Sequence, residues 1–240
     1  MTARKRRRGL IMTVIALAGA ACLVAAVVAG TGARAEQARP PTAAERAAAA
    51  EAAVAARWQD WPAGQIFPAA LGYTTGLLTK ERARRAGISP HHDCASALAG
   101  TAVATARRDG CRAALRATYL DELQGVVYTA GVLAFPTPGR AAAFERAVAR
   151  HRLPSGLRAY RLAGTAAARF AEAARQAATE RQAGPYVLLI VAGYADGRPA
   201  TATGQHRRRV FAPAAQLGRE LLRPLAARPV INCSQPEWSC

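Results

Sequence analysis

The chain has 240 residues, with 33 Lys and Arg against 15 Asp and Glu, for a formal charge of +18. So basic a chain is drawn to anionic lipid headgroups and envelope polymers. Aromatics make up only 6% and are scarce beside the clusters Arg82, Arg84, Arg85, then Arg107, Arg108, then Arg207, Arg208, Arg209. Bases would find few rings to stack on, and nucleic acid is not expected as a partner.

The N-terminus is the most informative stretch. Residues 1–9 carry Arg4, Lys5, Arg6, Arg7 and Arg8 and no acid. Residues 10–30, LIMTVIALAGAACLVAAVVAG, hold no charge. As a helix of 1.5 Å rise they span about 31 Å, the thickness of a bilayer core. The expectation is a single-pass signal-anchor, with residues 1–9 cytoplasmic by the positive-inside rule and the remainder outside the cell membrane. Cleavage after Ala33-Arg34-Ala35, which would secrete the remainder, is the alternative. Cys22 as an acylated cysteine fits less well, because the run stays apolar beyond it. From Glu36 onward 27 basic residues face 15 acidic ones, and the length suits one domain with a sizeable core. Residues 31–57 are assigned to a tether and juxtamembrane helix, and 58–240 to the extracytoplasmic domain.

Thr42-Ala43-Ala44-Glu45 reads as a capping box that opens a helix running to about Ala56, either a stalk or a helix lying on the domain. Trp58 and Trp61 are expected at the edge of the core. A short helix is predicted over Thr79–Ala86, stopped by Gly87, and a longer one over Cys94–Arg107, capped by Asp93. Residues 112–120 and 126–135 are two β-compatible runs around a polar connection with Gly125, which predicts a hairpin. The second run is apolar on both faces and should be central in a sheet. Pro138 opens a helix to about 150, with Phe144 and Val148 on its buried face. Residues 165–183 favour helix by propensity, although a strand over 175–182 turning at Gly184-Pro185 is the other reading. Residues 186–194 read as a buried strand. A last helix over 208–226 carries the stripe Val210, Leu217, Leu221 and Leu225. This element order predicts an α+β fold, an antiparallel sheet with helices mainly on one face.

Outside the membrane, thiols oxidise. Cys94, Cys111, Cys233 and Cys240 allow three pairings, of which the local one, Cys94–Cys111 with Cys233–Cys240, is preferred. The run His91-His92-Asp93-Cys94 is a weak metal candidate, because adjacent residues rarely all turn toward one ion. Five serines fall in no Gly-x-Ser-x-Gly or Ser-x-x-Lys pattern, and HExxH, P-loop and GxGxxG motifs do not occur. No catalytic residue, metal or cofactor is assigned. Asp121-Glu122 reads as an ordinary acidic pair in a turn. Tyr194 and Asp196, at the end of the last strand, are the candidates for ligand binding, although Asp196-Gly197 is also good turn chemistry.

The segments GCRAALRATYL, VVYTAGVLAFPTPGRAAAF and GPYVLLIVAGYADGR resemble the extracytoplasmic domains of uncharacterised membrane-anchored actinobacterial proteins, over roughly residues 58–230. The resemblance implies no particular activity. More distantly, the plan is similar to the extracytoplasmic sensor domains of actinobacterial Ser/Thr kinases, but nine residues precede the apolar run and no kinase is present. The functional expectation is a membrane-anchored interaction or ligand-sensing module, whose partner is another envelope protein or an anionic envelope polymer. An envelope hydrolase without a recognisable motif and a structural envelope protein are the alternatives.

Overall fold

The hairpin predicted from residues 112–135 lies at the centre of a sheet. In the computed structural model, residues 19–31, 39–150, 156–199, 209–233, 235 and 238 are described. They fall into two compact units, one drawn from Met1–Arg46 and Cys233–Cys240, the other Ala47–Asn232.

In the first unit, residues 19–31 are helical (α1) with exposed side chains, and Cys22 is a free thiol. Among the described residues no helix is long and apolar enough to cross a membrane. The run expected to span begins at residue 10, and residues 10–18 lie outside the described ones, as do the basic residues 1–9 and the Ala33-Arg34-Ala35 motif. The capping box forms as read: Glu45 N donates to the Thr42 hydroxyl (3.2 Å) and Thr42 N to the Glu45 carboxylate (2.7 Å). It opens α2 (Ala43–Asp60).

The second unit is α+β, with six antiparallel strands in the order β1-β2-β3-β4-β6-β5. They are β1 (Ala70–Thr74), β2 (Lys80–Ile88), β3 (Ala113–Leu120), β4 (Val126–Ala134), β5 (Arg175–Ala183) and β6 (Tyr186–Tyr194). Strands β3 and β4 pair from Ala113↔Ala134 to Leu120↔Val127, and every residue of both is buried. Strand β6 continues the sheet from Val126↔Tyr194 to Ala134↔Tyr186. Its run of Val, Leu and Ile is apolar on both faces because both faces are covered.

Here the expectation of helices mainly on one face is corrected. One core gathers Tyr186, Leu188 and Ile190 of β6 with Leu217, Leu221 and Leu225 of α7 (Pro213–Ala226) and Val54 of α2. The other gathers Val187, Leu189 and Val191 with Phe144 and Val148 of α6 (Pro138–Arg150) and Ala102 and Ala106 of α5 (Thr101–Arg108). Burying a Leu, Val or Phe side chain stabilises by about 1.5–3 kcal/mol, so a strand alternating between two cores uses every position.

Four further expectations change. Thr79–Ala86, expected as helix, is strand β2, following a β1 that its short ALGYT sequence did not announce. The chain reverses at Thr75–Thr79, and β2 is paired on both sides, which outweighs the helical preference of KERARRA. Residues 165–183, favoured as helix, form two 3₁₀ turns and β5, which turns through Gly184 at φ +54° into β6. The helix expected over Cys94–Arg107 is two pieces, α4 (Cys94–Ala97) and α5, divided at Gly100, where φ is +58°. Leu98, in the break, bridges to Leu157. The last helix starts at Pro213 rather than 208, so Val210 is not in its stripe.

Cys94 and Cys111 are disulfide-bonded, Cα atoms 6.4 Å apart across 17 residues, tying α4 to the segment entering β3. Cys233 is disulfide-bonded too, while Cys240 lies outside the described residues. Helix α2 lies on the domain: Tyr186 donates to the Val54 carbonyl (2.6 Å), and Trp58 and Trp61 pack at the core's edge. Arg57 on α2 donates to the carbonyls of Pro224 and Leu225 (2.9 and 2.8 Å), satisfying the C-terminus of α7. A short helix, α3 (Ala63–Ile66), leads into β1. At the free edge of β1, Gln216 of α7 accepts from Thr74 N (2.9 Å) and donates to Thr74 O (2.8 Å).

Candidate functional site: a carboxylate and tyrosine cleft

The β1–β2 turn, the β3–β4 turn and the end of β6 meet at one end of the sheet, as the strand registers require. Both turns are built by side chains. In the first, the Thr75 hydroxyl accepts from Leu77 N and Thr79 N (both 3.3 Å), and Leu78 N donates to Thr75 O (3.0 Å). In the second, Asp121 Oδ1 accepts from Val126 N (2.8 Å) and Gln124 N donates to Asp121 O (3.0 Å). Each turn holds a non-glycine residue in the left-handed region, Leu78 at φ +62° and Gln124 at +55°, which L-residues rarely adopt. Leu77, Leu78 and Leu123 are thereby thrust into solvent, 88, 84 and 90% exposed.

Between the turns lies a cleft of about 400 Å³, bordered by Tyr73, Glu81, Asp121, Tyr128, Leu77 and the segment Arg209–Val210. Tyr73 is the penultimate residue of β1 and Glu81 the second of β2, directly paired across the hairpin, and the Tyr73 hydroxyl donates to Glu81 Oε2 at 2.7 Å. Burial, reinforced by Glu81, holds the Tyr73 phenol well above its usual range. Tyr128, 1% exposed, supplies the floor from β4. Among the described residues its hydroxyl has no hydrogen-bond partner, and burial, with Asp121 and Glu81 adding to it, raises the phenol above its usual range. Burial raises the Asp121 carboxyl; the backbone amides of Val126 and Gly125 oppose this, and Glu81 adds to it. Among the described residues neither Glu81 nor Asp121 has an ion-pair partner. The arrangement suits a ligand pocket: concave, largely apolar, with a few convergent polar groups of shifted affinity for protons.

The residues predicted for ligand binding sit behind this cleft. Tyr194 packs edge-on against Phe211 (centroids 5.1 Å apart), bracing the segment that forms one wall. Asp196 pairs with Arg198 at 2.7 Å, and that guanidinium lies 4.1 Å from the Tyr194 ring. Arg198 holds the Asp196 carboxyl below its usual range. Tyr194 and Asp196 are thus brought together, but by an internal contact, and neither borders the cleft. Tyr73, Glu81, Asp121 and Tyr128 were not singled out as a site. Asp121 was visible as half of an acidic pair, but its burial follows from the pairing of β1 with β2, which the sequence concealed.

Asp93 accepts from Ser96 N at 2.7 Å and Cys94 is in a disulfide, so the run His91–Cys94 has two of its four donors engaged. Among the described residues no group of three or more His, Cys, Asp or Glu is placed to hold a metal ion. A second cleft, about 270 Å³ and mostly apolar, lies between α2 and the Gly184-Pro185 turn, spanned by the Arg228–Glu51 pair at 2.9 Å. No protein-family model, no curated protein and no solved structure matches the chain.

Proposed function

We propose that the chain is a membrane-anchored extracytoplasmic ligand-sensing module, and that its ligand seat is the cleft between the two hairpin turns. The observation that carries the ligand seat is Tyr128: a phenol 1% exposed, on the floor of a cleft beside two carboxylates, with no hydrogen-bond or ion-pair partner for these groups among the described residues other than Tyr73 on Glu81 and the turn amides on Asp121. The hydroxyl of a buried tyrosine usually finds a hydrogen-bond partner; the Tyr128 oxygen is not sealed from solvent, since among the described residues the sealed side-chain atom without a partner is Arg116 Nε. The uncharged run at residues 10–30 and the basic cluster before it support the anchor, and the Cys94–Cys111 disulfide is in keeping with an oxidising compartment.

Two measurements test this. A reporter active only outside the cell, fused at the C-terminus, reads the topology, and silence of that reporter refutes the anchored, exported arrangement. A thermal-shift screen of the full chain against small metabolites, repeated on Val210→Trp to fill the cleft, reads the seat. Hits that persist unchanged in Val210→Trp refute the cleft as their site.

A second reading, an interaction module, is favoured by the three leucines at the turn tips, because exposed apolar clusters mark contact surfaces. It requires that a partner crosslinked in intact cells by the wild-type chain be lost with Leu77→Ser, Leu78→Ser and Leu123→Ser combined.

A further inference from the structure

This inference rests on the cleft being a ligand seat and concerns the charge of what it takes. Six carboxylates, Glu45, Glu51, Asp109, Glu172, Asp196 and Glu220, each lie within 2.6–3.2 Å of an arginine. Glu81 and Asp121 have no such partner among the described residues, and both border one cleft. Lys80 and Arg82 flank Glu81 in sequence, and Arg209 stands on the rim of the cleft, yet among the described residues no ion pair forms with either carboxylate. In a chain with 33 cations to 15 acids, two part-buried carboxylates without a basic partner are an unbalanced negative charge, which is costly unless something positive arrives. Independently, the 99%-buried Tyr128 offers a hydroxyl with no partner among the described residues on the same floor. Tyrosine faces attract cations through the ring quadrupole, and Leu77 and Val210 supply apolar walls.

We infer that the cleft binds an organic cation, an ammonium or guanidinium group on a small apolar body, with Glu81 and Asp121 holding the charge, the Tyr128 hydroxyl accepting a hydrogen bond from it, and Leu77 and Val210 enclosing the apolar part. Tyr73 acts as a positioning residue, because its bond to Glu81 fixes that carboxylate before the ligand arrives. A bare divalent ion is the poorer match, since hard cations gather six or more oxygens and most of this lining is apolar.

The test uses the full chain in non-ionic maltoside micelles, which carry no competing ammonium groups. Four probes are titrated separately while the methyl signals of Leu77 and Val210 are followed by NMR: 2-phenylethylammonium, neutral 2-phenylethanol, anionic 3-phenylpropionate and calcium chloride. The expected result is saturable binding of the ammonium alone, weakened about tenfold or more by Glu81→Gln and by Asp121→Asn, and about tenfold by Tyr128→Phe, as for loss of a hydrogen bond to a charged group. Tyr128→Phe keeps the ring and the core, so a loss of binding at unchanged melting temperature separates recognition from folding. Equal binding of the alcohol or the carboxylate overturns the charge assignment while leaving the cleft a ligand seat. Calcium shifting the same signals in place of the ammonium assigns a metal site and overturns the inference. If no probe moves those signals at millimolar concentration, the cation inference fails, and the metabolite screen with Val210→Trp then decides separately whether the cleft is a seat at all.

Discussion

Gly193→Ala is predicted to be severely destabilising, although it adds one methyl to a strand. Gly193 pairs with Val127 on one side and Arg175 on the other, at the point where the β5 register shifts between Arg175 and Ala177. A Cβ there falls 2.1 Å from the Ala174 carbonyl oxygen and 2.7 Å from Cε2 of Phe170. Ordinary contact begins at 3.4 Å, so the carbonyl must retreat by more than about 1 Å. It belongs to backbone, and Ala174 and Phe170 are both fully buried, so no flexible side-chain end can give way. Overpacking costs about 1–3 kcal/mol, and a backbone obstacle puts this case at about 3. For a unit of the size of Ala47–Asn232, each kcal/mol lowers Tm by about 2–4 °C, which gives a fall of about 6–12 °C. The control is Gly72→Ala on edge strand β1, where nothing lies within 4 Å of the added methyl, and where the restricted unfolded chain makes the change neutral or stabilising by about 0.5 kcal/mol. Thermal melts of the full chain by circular dichroism read both. A Gly193→Ala protein melting within about 2 °C of wild type refutes the steric argument.

Three further outcomes are expected. Replacing Cys94 and Cys111 together by alanine should cost about 3 kcal/mol in urea unfolding, from the 17-residue separation they close; no change in the midpoint would mean the bridge constrains nothing. Leu78→Gly should raise stability by about 1 kcal/mol, because glycine takes φ +62° without the Cβ conflict of an L-residue, and a lower midpoint would show that the exposed leucine packs on something. The folded Asp121 carboxyl is raised above its unfolded value by burial, so the native state holds the proton more tightly. Stability is therefore favoured below the unfolded value and is lost as pH rises toward the folded one. Asp121→Asn, which keeps an acceptor for Val126 N, should remove that slope from urea titrations taken across the acid range; an unchanged slope assigns it elsewhere.

The parts of the fold visible in sequence are those whose chemistry is local or doubly constrained. Thr42 and Glu45 sit three residues apart and form their reciprocal bonds within one turn. Strands β4 and β6 are apolar on both faces but for Thr129, and only a sheet covered on both faces buries such runs. The Cys94–Cys111 bond follows from short separation. The two segments expected as helix and found as strand have one cause. The segments KERARRAGI and RQAATERQA are charged, alanine-rich and helical by propensity, yet they become strands because β3 and β6 present unfilled backbone edges to them. That demand comes from distant sequence. The cleft inherits the difficulty, since Tyr73 and Glu81 are neighbours only once β1 and β2 have paired. Tyr194 and Asp196 stood out because Tyr-Ala-Asp-Gly closes a strand locally; in the fold they meet through Arg198 and do not border the cleft.

The bidentate contact of Gln216 with Thr74 has a consequence for how these molecules meet one another. A side-chain carboxamide has the same donor and acceptor pair as a peptide unit, so Gln216 occupies one rung that a strand from a second molecule would otherwise take. With β1 only five residues long, losing one rung removes much of the register such an intruder could use. Removing that amide, as in Gln216→Leu, leaves the core intact and creates an adhesive margin, so the variant's fault would appear as slow polymerisation on storage at high concentration rather than as a lowered melting point.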